Sequence, residues 1–365
     1  MNVAPAEQRT MRLLIAAGGT GGHIYPGLAV GRELVARHPD AEVVFVGTSR
    51  GLEEKIIGGA GFPVRPLRAE PLRGGSLGRK IKGVLALLPA LRDAGRLLRE
   101  VEPHAVFGVG GYSAGPLMLM AARRGIPTML LEPNVEPGLA NKWLARFVDA
   151  AAVAWEETGS HFPGKALVSG NPIRSEIAAV PEIGAIERGL LRVLLFGGSQ
   201  GSRALNDAMI AALPDLGEDI AITHQTGAAD LERVRTAYEA RGRQARIEPY
   251  LAEIDREYAA CHVVVSRAGA TTCAELAAAG RGAILVPLEI AGGHQRRNAD
   301  ALARSGAAEV IPQSELTGEK LAAALNTLAQ DPSRCHAMAT AARAQAKPRA
   351  TKEIVDKLED LMSRA

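Results

Sequence analysis

Short apolar runs alternate with longer amphipathic stretches along the whole chain. Apolar residues after the first run recur at helical spacing from about Pro26 to Arg37, and Pro26 suits a first helical turn. Buried strands that alternate with helices predict parallel sheets covered by helices on both faces, an α/β fold. The strands predicted in the first half are Arg12–Ala17, Glu42–Val46, Ala105–Gly108, Pro127–Leu131, Ala150–Ala154 and Ala166–Val168. Those predicted in the second half are Arg192–Phe196, Ala221–Gln225, His262–Ser266, Ala283–Val286 and Ala308–Ile311.

The second half repeats the beginning of the first. Gly18–Gly22 follows the first strand, and the similar segment Gly197–Gly201 follows Arg192–Phe196. Two copies of strand, glycine loop and helix predict two doubly wound, Rossmann-like domains, with Pro172–Gly189 as the best candidate for the linker. We therefore expect domains at residues 1–172 and 173–345, with a ligand in the cleft where the carboxyl ends of their strands face each other.

Composition excludes several classes of protein. Of the 365 residues, 47% are hydrophobic and 23% charged, which is enough apolar material for a core and excludes a disordered chain. Aromatic residues make up only 4%, which argues against stacking platforms for single-stranded nucleic acid. The longest uncharged apolar run, Gly83–Leu91, is shorter than the roughly 20 residues of a membrane span. Three cysteines without a CxxC pair and a short polar beginning favour a cytoplasmic protein without disulfides.

The positive charge is concentrated in one segment. The chain as a whole has a net charge of +3, whereas residues 65–99 carry nine basic and two acidic residues among many leucines. Basic and apolar residues interleaved in this way are typical of a surface that lies on anionic lipid, and a solvated face of an ordinary helix is the equal alternative. Nucleic acid is less favoured because no binding motif accompanies the charge.

The glycine loops are suited to hold an anion. A glycine-rich turn between a strand and a helix exposes backbone N–H groups at the positive end of the helix. Neither loop has the GxGxxG spacing of a dinucleotide enzyme, and the chain contains no P-loop. A third loop, Gly108–Pro116, also follows a predicted strand. Three such loops favour a large, polar, phosphate-bearing substrate.

Two segments of the second half add specific chemistry. In Ser266–Glu275 a strand ends and a helix opens near Ala270, where free N–H groups and the helix dipole can hold a diphosphate. Glu275 lies one turn further on and can accept two hydrogen bonds from a ribose diol, although a first-turn glutamate also caps helices. In Gly292–Asn298, neutral side chains such as His294 and Gln295 suit sugar hydroxyls.

Five motifs in the same order resemble the MurG family, inverting glycosyltransferases of family 28. They are GGTGGHIYPGLAV (Gly18–Val30), GVGGYSAGP (Gly108–Pro116), GNPIR (Gly170–Arg174), FGGSQGSRALN (Phe196–Asn206) and SRAGATTCAELAAAG (Ser266–Gly280). The resemblance implies a two-domain GT-B fold and a transfer of GlcNAc from UDP-GlcNAc to undecaprenyl-diphosphoryl-MurNAc-pentapeptide (lipid I), giving lipid II in peptidoglycan synthesis. It also implies a peripheral position on the inner face of the cell membrane and a C-terminal helix, residues 346–365, that packs on the first domain.

The resemblance assigns roles residue by residue. The diphosphate would lie on Gly269–Thr272, the ribose on Glu275, the uracil near Leu251 and the GlcNAc hydroxyls at His294 and Gln295. Positions expected to contact the donor are Thr20, Gly21, Gly22, Asn134, Arg174, Ser199, Leu251, Gly269, Ala270, Thr271, Thr272, Cys273, Ala274, Glu275, His294 and Gln295. Positions expected on the acceptor side are Gly110, Gly111 and Tyr112. The chain departs from the family at Leu131–Asn134, often His-Glu-Gln-Asn, and at His294, often glutamine.

The reaction needs a base and a stabilised leaving group. His23 is the candidate base for the 4-hydroxyl of MurNAc, because histidine titrates near neutral pH; a structural histidine that caps the loop is the alternative. The helix start at Gly269–Thr272, with Arg174, would stabilise the departing UDP. The chain has no Asp-x-Asp motif, so we expect no cofactor and no essential metal ion.

Three other functions remain open at this point. A related enzyme could transfer a sugar to another lipid, such as diacylglycerol. An epimerase of the same fold could convert UDP-GlcNAc without an acceptor. A nucleotide-sugar sensor would bind the donor and release no UDP.

Overall fold

The computed structural model describes residues 10–18, 21–47, 52–68, 77–111, 114–184, 186, 189–289 and 293–364, without the side chains of residues 52–53 and 77–87. The strands are β1 (Arg12–Ala17), β2 (Glu42–Gly47), β3 (Val64–Pro66), β4 (Ala105–Gly110), β5 (Thr128–Glu132), β6 (Ala150–Val153), β7 (Ala166–Val168), β8 (Leu191–Phe196), β9 (Ile220–Gln225), β10 (Arg246–Glu248), β11 (Val263–Ser266), β12 (Gly282–Leu285) and β13 (Ala308–Val310). The helices are α1 (Gly21–Arg37), α2 (Leu52–Gly59), α3 (Leu77–Val101), α4 (Ala114–Arg123), α5 (Leu139–Leu144), α6 (Ser175–Ala178), α7 (Arg203–Ala212), α8 (Leu231–Ala240), α9 (Ile254–Ala260), α10 (Ala270–Ala279), α11 (His294–Arg304), α12 (Gly318–Gln330), α13 (Pro332–Ala344) and α14 (Ala350–Ser363).

The chain divides into two compact units. The first contains residues 1–133, 137–172 and 349–365, and the second contains residues 134–136 and 173–348. The chain passes from the first unit to the second between Pro172 and Ile173, at the start of the segment considered as a linker. It returns at Arg349, three residues after the position where the sequence suggested that the C-terminal helix begins. The short segment Asn134–Glu136 groups with the second unit although its neighbours on both sides belong to the first.

The first unit is a seven-stranded parallel sheet in the order β3-β2-β1-β4-β5-β6-β7. Successive side chains of a strand point to opposite faces, so a strand with helices on both sides is apolar throughout. Leu13 and Ile15 of β1 face a core shared with α1, α2 and α14. Leu14 and Ala16 face the opposite core, shared with α3, α4 and α5.

The C-terminal helix completes this first core. Ile354, Val355 and Leu358 of α14 are each fully buried in the cluster that contains Ile15. Arg37 at the end of α1 forms ion pairs with acidic side chains of α14, one of them to Glu359 at 3.3 Å. The last helix of the chain is therefore an integral part of the first unit.

The second unit is a six-stranded parallel sheet in the order β10-β9-β8-β11-β12-β13. An apolar cluster of this unit joins β8 and β9 to helices α7, α8 and α12 through residues such as Leu195, Leu205 and Leu325. Both sheets thus have the strand order of a doubly wound fold, which confirms the predicted fold class.

The structure corrects two details of the predicted elements. Helix α1 begins at Gly21, so Pro26 lies in its second turn and not in its first. The sequence analysis missed β3 and β10, which are three-residue strands at the edges of the two sheets. Apart from proline, Val64–Pro66 and Arg246–Glu248 each contain a single apolar residue, Val64 and Ile247, so hydrophobic pattern does not reveal them.

Each sheet has one point where the chain reverses the direction in which strands are added. This topological switch point lies between β1 and β4 in the first unit and between β8 and β11 in the second. In folds of this kind the loops after the two central strands diverge at this point, and ligands bind in the crevice that they leave at the carboxyl edge of the sheet. Most of the predicted site residues follow the strands at these two points, whereas Asn134, Arg174, Leu251, His294 and Gln295 lie elsewhere in the second unit.

Among the described residues, no helix has both the length and the apolar content that a membrane crossing requires.

Candidate functional site

The switch point of the second unit encloses a cavity of about 360 Å³. Its walls come from the loop after β8 and the loop after β11, with contributions from the segment after β12 and from α11. The lining residues are Phe196, Gly197, Gly198, Gly201, Ser202, Arg267, Gly269, Thr272, Leu288 and Gln295. Four of these residues belong to the two segments singled out in the sequence. Arg267, Gly269 and Thr272 lie in Ser266–Glu275, and Gln295 lies in Gly292–Asn298.

The amino end of α10 borders this cavity through Gly269 and Thr272. Gly269 is the N-cap in an extended conformation, and the first hydrogen bond of the helix runs from the Cys273 amide to the Gly269 carbonyl at 2.9 Å. The amides of Ala270, Thr271 and Thr272 precede that bond, at the end of the helix that carries about half a positive charge. The predicted segment Gly269–Thr272 therefore lies at a helix amino end beside the cavity.

Two further predicted residues, Cys273 and Ala274, lie deeper in the same helix. Cys273 is only 1% exposed, and burial raises the pKa of its thiol to about 12. Because its amide is already used within the helix and its side chain packs into the core, Cys273 does not face the cavity. Ala274 follows it beyond the first helical bond, and neither residue lines the cavity in this unit.

Arg267 is a cationic residue of this cavity that the sequence analysis did not single out. Its Nε donates to the Ser202 hydroxyl at 3.1 Å, and its Nη1 donates to the Val286 carbonyl at 3.1 Å. Partial burial lowers the pKa of the guanidinium, and no carboxylate of the described residues forms an ion pair with it. A fixed, partly desolvated cation beside a helix amino end is suited to a phosphate. Its position directly after a central strand was the signal in the sequence.

The glycine loop after β8 is held by a buried amide side chain. Gln225, at the end of β9, donates from Nε2 to the Gly198 carbonyl at 2.7 Å and is 3% exposed. Gly197, Gly198 and Gly201 line the cavity, whereas Ser199, the residue predicted to contact the nucleotide, is exposed on the same loop.

Glu275 is buried in a cluster of three polar side chains. Its Oε1 accepts a hydrogen bond from Nη2 of Arg174 at 2.8 Å, and its Oε2 accepts one from the Tyr258 hydroxyl at 3.3 Å. Burial raises the pKa of the Glu275 carboxyl, and Arg174 and Tyr258 partly oppose that rise. Arg174 was predicted to contact the diphosphate, but here it is the partner of the predicted ribose ligand and does not line the cavity.

The residues predicted for the sugar separate into two groups. Gln295 lines the cavity, and its Oε1 accepts a hydrogen bond from the Leu288 amide at 2.9 Å. His294 points elsewhere, since its Nδ1 donates to the Glu136 carbonyl at 2.9 Å. Asn298 of α11 holds the same short segment by donating from Nδ2 to Oδ1 of Asn134 at 3.1 Å. Asn134, which we expected on the side of the first domain, therefore belongs to the second unit.

The predicted uracil position lies at the end of the sheet's edge strand. Leu251 is 4% exposed and follows β10, while its neighbour Tyr250 is half exposed. The Gly227 amide donates to the Pro249 carbonyl at 3.1 Å, which fixes the start of this segment beside the end of β9. Leu251 does not line the cavity.

His23 occupies the switch point of the first unit. Its Nδ1 lies 3.2 Å from the Gly18 carbonyl oxygen, so Nδ1 carries the proton and Nε2 is the basic nitrogen of the neutral ring. Burial lowers the pKa of His23, against smaller opposing effects of Gly18 and of the Glu132 charge. Glu132 is itself 1% exposed, and its Oε2 accepts from the Gly138 amide and from Asn141, both at 2.9 Å.

The two predicted acceptor-side glycines make room for His23 and its loop. Gly110 and Gly111 have φ angles of +114° and +82°. A Cβ on Gly110 would lie 2.8 Å from Cδ2 of His23, and one on Gly111 would collide with the Gly18 oxygen. Only glycine fits both the space and the backbone conformation. Gly21 and Gly22 form the first turn of α1 beside them, while Thr20 and Tyr112 lie outside the described residues.

No group of three or more His, Cys, Asp or Glu side chains suited to a metal ion occurs in the part of the chain that the structure describes.

Comparison with known proteins identifies the class of enzyme. The model of the glycosyltransferase family 28 N-terminal domain matches residues 13–153, and that of the family 28 C-terminal domain matches residues 192–354. Together they span both switch points and both glycine loops. The chain belongs to glycosyltransferase family 28.

Individual relatives are similar in sequence over nearly the whole chain. A UDP-N-acetylglucosamine--N-acetylmuramyl-(pentapeptide) pyrophosphoryl-undecaprenol N-acetylglucosamine transferase of Anaeromyxobacter sp. (strain Fw109-5) is 44% identical, over 97% of this chain and 94% of its own length. The enzyme of the same name from Myxococcus xanthus is 41% identical, over 96% and 93%.

Solved structures agree with this relationship. MurG of Acinetobacter baumannii superposes with a TM-score of 0.78 at 31% identity, covering 96% of this chain and 99% of that one. A UDP-GlcNAc 2-epimerase from Neisseria meningitidis bound to UDP-GlcNAc has a TM-score of 0.69 at 14% identity, covering 96% and 100%, which shows a shared fold only.

Replacing Arg174 with methionine removes the cation that balances the buried Glu275. Removing one partner of a buried ion pair lowers the free energy of unfolding by about 3 kcal/mol at neutral pH. The pKa of the Glu275 carboxyl, already raised by burial, rises further in the variant. The loss of stability is therefore complete at a pH above that pKa, where the carboxyl is charged. It shrinks as the pH falls toward the pKa of Glu275 in the unfolded chain, because the carboxyl becomes neutral. Denaturant unfolding at about pH 7.5 and about pH 5 measures the difference.

The matched control is Arg203→Met, since Arg203 is exposed and its ion pairs are long, at 3.9 Å and 4.0 Å. It should change stability by less than about 0.5 kcal/mol at either pH. An Arg174→Met variant that loses the same stability at both pH values would show that Glu275 is not the group concerned.

Proposed function

We infer that this chain transfers GlcNAc from UDP-GlcNAc to the 4-hydroxyl of MurNAc in undecaprenyl-diphosphoryl-MurNAc-pentapeptide (lipid I), giving lipid II with inversion at the sugar. The enzyme serves peptidoglycan synthesis. The observation that carries this conclusion is 44% identity over 97% of the chain to a transferase named for these substrates. The anion site at the switch point of the second unit is the feature that a nucleotide-diphosphate donor requires.

The second unit is proposed to hold the donor. The amides of Ala270–Thr272 would take the diphosphate, with Arg267 as the cation beside them. Glu275 would accept hydrogen bonds from the ribose, and Gln295 would contact the sugar. When the bond to GlcNAc breaks, negative charge grows on UDP, and donors already oriented toward that charge lower the barrier without further reorganisation. Helix amides and an arginine supply this stabilisation, so we propose that no metal ion is essential.

His23 in the first unit is proposed to act as the base. The acceptor is an alcohol, which attacks readily only when its proton is removed as the new bond forms. The Gly18 carbonyl holds the ring by Nδ1, so Nε2 can receive the proton. Burial and the nearby Glu132 charge act on His23 in opposite directions, and Glu132 would stabilise the imidazolium that forms.

The membrane surface is proposed to be a partner, through the basic and apolar segment of residues 65–99. In the described part of α3, Arg92, Arg96 and Arg99 are exposed on one side while Leu97 and Leu98 are buried. Leu88, at the other end of this exposed side, is 53% exposed. A basic helix face with an exposed leucine suits the surface of anionic lipid, where lipid I is embedded. This placement would make the enzyme a peripheral protein of the cytoplasmic membrane face.

Release of UDP from UDP-GlcNAc, measured with and without a lipid I analogue, tests the function. We expect release only with the acceptor, the same rate after chelation of divalent ions, and no release when diacylglycerol replaces the analogue. Conversion of UDP-GlcNAc without an acceptor would indicate an epimerase, and binding without any release would indicate a sensor. Transfer to diacylglycerol alone, or loss of activity on chelation, would contradict the proposed acceptor or the metal-free mechanism respectively.

Replacing His23 with alanine should lower kcat by about 10²–10⁴-fold and leave the KM for UDP-GlcNAc nearly unchanged, because only the proton transfer is lost. In the wild type, activity requires the unprotonated ring. The lowered pKa therefore places the acid limb of kcat/KM below the ordinary value of 6.5. His161→Ala, at an exposed histidine of the same unit, is the control. Near-normal turnover of His23→Ala would remove the residue from this role.

Replacing Arg92 and Arg96 with glutamate should weaken binding to vesicles that contain phosphatidylglycerol. Each basic residue at such a surface contributes about 1 kcal/mol, so the pair accounts for roughly 30-fold in affinity. The control changes Arg32 and Lys55, exposed on helices that cover the opposite face of the sheet. Co-sedimentation measures vesicle binding, and UDP affinity should stay the same in both variants. Equal vesicle binding by wild type and by the Arg92/Arg96 variant would contradict the proposed surface.

A further inference from the structure

We propose that Tyr258 is a positioning residue for donor recognition: it fixes the Glu275 carboxylate so that both carboxylate oxygens can accept a hydrogen bond from the ribose diol of the nucleotide. The inference rests on the proposed function, because it concerns how that donor is bound. No feature of the sequence pattern drew attention to Tyr258, which lies in α9, a helix that the sequence analysis did not describe.

The three polar groups come from separate parts of the second unit. Glu275 belongs to the second turn of α10, Tyr258 to α9, and Arg174 to the segment just before α6. Tyr258 is fully buried, and Glu275 keeps 6% of its surface exposed. Each carboxylate oxygen has one partner, since Arg174 donates to Oε1 at 2.8 Å and Tyr258 donates to Oε2 at 3.3 Å. Two donors on different oxygens prevent the carboxylate group from rotating.

The number of acceptor positions suits a diol. An ionised carboxylate offers about four lone-pair positions, two on each oxygen. Arg174 and Tyr258 use one position on each oxygen, which leaves one on each for a further donor. The 2′- and 3′-hydroxyls of a ribose are two adjacent donors that can reach both oxygens of one carboxylate. Without Tyr258, Oε2 loses its partner and the carboxylate can turn away from this arrangement.

Tyr258 is itself held firmly in a protonated state. Burial, with a contribution from the Glu275 charge, raises the pKa of its phenol well above the ordinary value, so the hydroxyl remains a donor. Its ring packs edge-on against Phe196 with centroids 6.2 Å apart, and Phe196 lines the cavity. Its carbonyl accepts from Nε of the fully buried Arg281 at 2.6 Å. The hydroxyl therefore has a fixed direction with respect to the wall of the cavity.

The experiment compares Tyr258→Phe with the wild type by calorimetric titration with UDP and with 2′,3′-dideoxy-UDP. A site built around hydroxyl groups discriminates strongly against a ligand that lacks them. We expect the variant to bind UDP about 10-fold more weakly, the size of one hydrogen bond to a charged group, and to bind the dideoxy ligand within about twofold of the wild type. In turnover assays the KM for UDP-GlcNAc should rise while kcat stays nearly constant.

Tyr238→Phe is the matched control. Tyr238 is the other buried tyrosine of this unit with a polar partner, and its hydroxyl lies 3.1 Å from Nδ1 of His224, outside the cavity. Its loss should leave the preference for the ribose unchanged. If Tyr258→Phe shows no cooperative thermal unfolding transition, Tyr258→Met is tested instead. It removes the same hydroxyl, and its flexible side chain can fill the space of the ring.

Each result has a distinct meaning. A selective loss of UDP affinity supports the role of Tyr258. Equal weakening of both ligands, or an unchanged preference for the ribose, would overturn it and leave Tyr258 as a packing residue. Absence of UDP binding by the wild-type protein would instead overturn the proposed function.

Discussion

The amino end of α10 borders a cavity only because the chain turns in opposite directions after β8 and β11. Two parallel strands that lie side by side would normally be followed by helices on the same face, with their loops in contact. At the switch point the loops separate, and the first turn of α10 faces the glycine loop after β8 across a cavity. Gly269 and Thr272 of that turn, Arg267 and the loop around Gly198 all line that cavity. The chemistry of the second unit depends on this one feature of strand order.

Two arginines of the second unit have different partners, a difference that the sequence pattern does not reveal. Arg174 forms an ion pair with the buried carboxylate of Glu275, where a cation offsets the cost of burying a negative charge. Arg267 instead bonds to a hydroxyl and a carbonyl, neither of which neutralises it, so its charge is available to an anion in the cavity. Chain position does not distinguish these tasks, whereas the partners of each guanidinium do.

The first unit uses the same topology for a different purpose. Among the described residues, the segments after β1 and β4 come close together, with His23 beside Gly110 and Gly18 beside Gly111. This contact sets the direction of the imidazole ring and determines which nitrogen carries its proton. The same reversal of strand order therefore places a helix amino end beside a cavity in the second unit and His23 against a glycine loop in the first.

The sequence alone determined the fold class and most of the strands, because parallel strands buried on both faces are apolar throughout and glycine loops mark their ends. It also located the helix start at Gly269–Thr272 and the glycines around His23, since these are local consequences of a strand followed by a turn. The edge strands β3 and β10 carry too little apolar sequence to be predicted. Tertiary structure alone decided that Arg174 and Tyr258 bond to Glu275, that Asn134 bonds to Asn298, and that Arg267 lines the cavity. Each of these contacts joins residues from different elements, and such pairs are chosen by packing and by the need to satisfy buried charge, which a pattern of neighbours along the chain does not record.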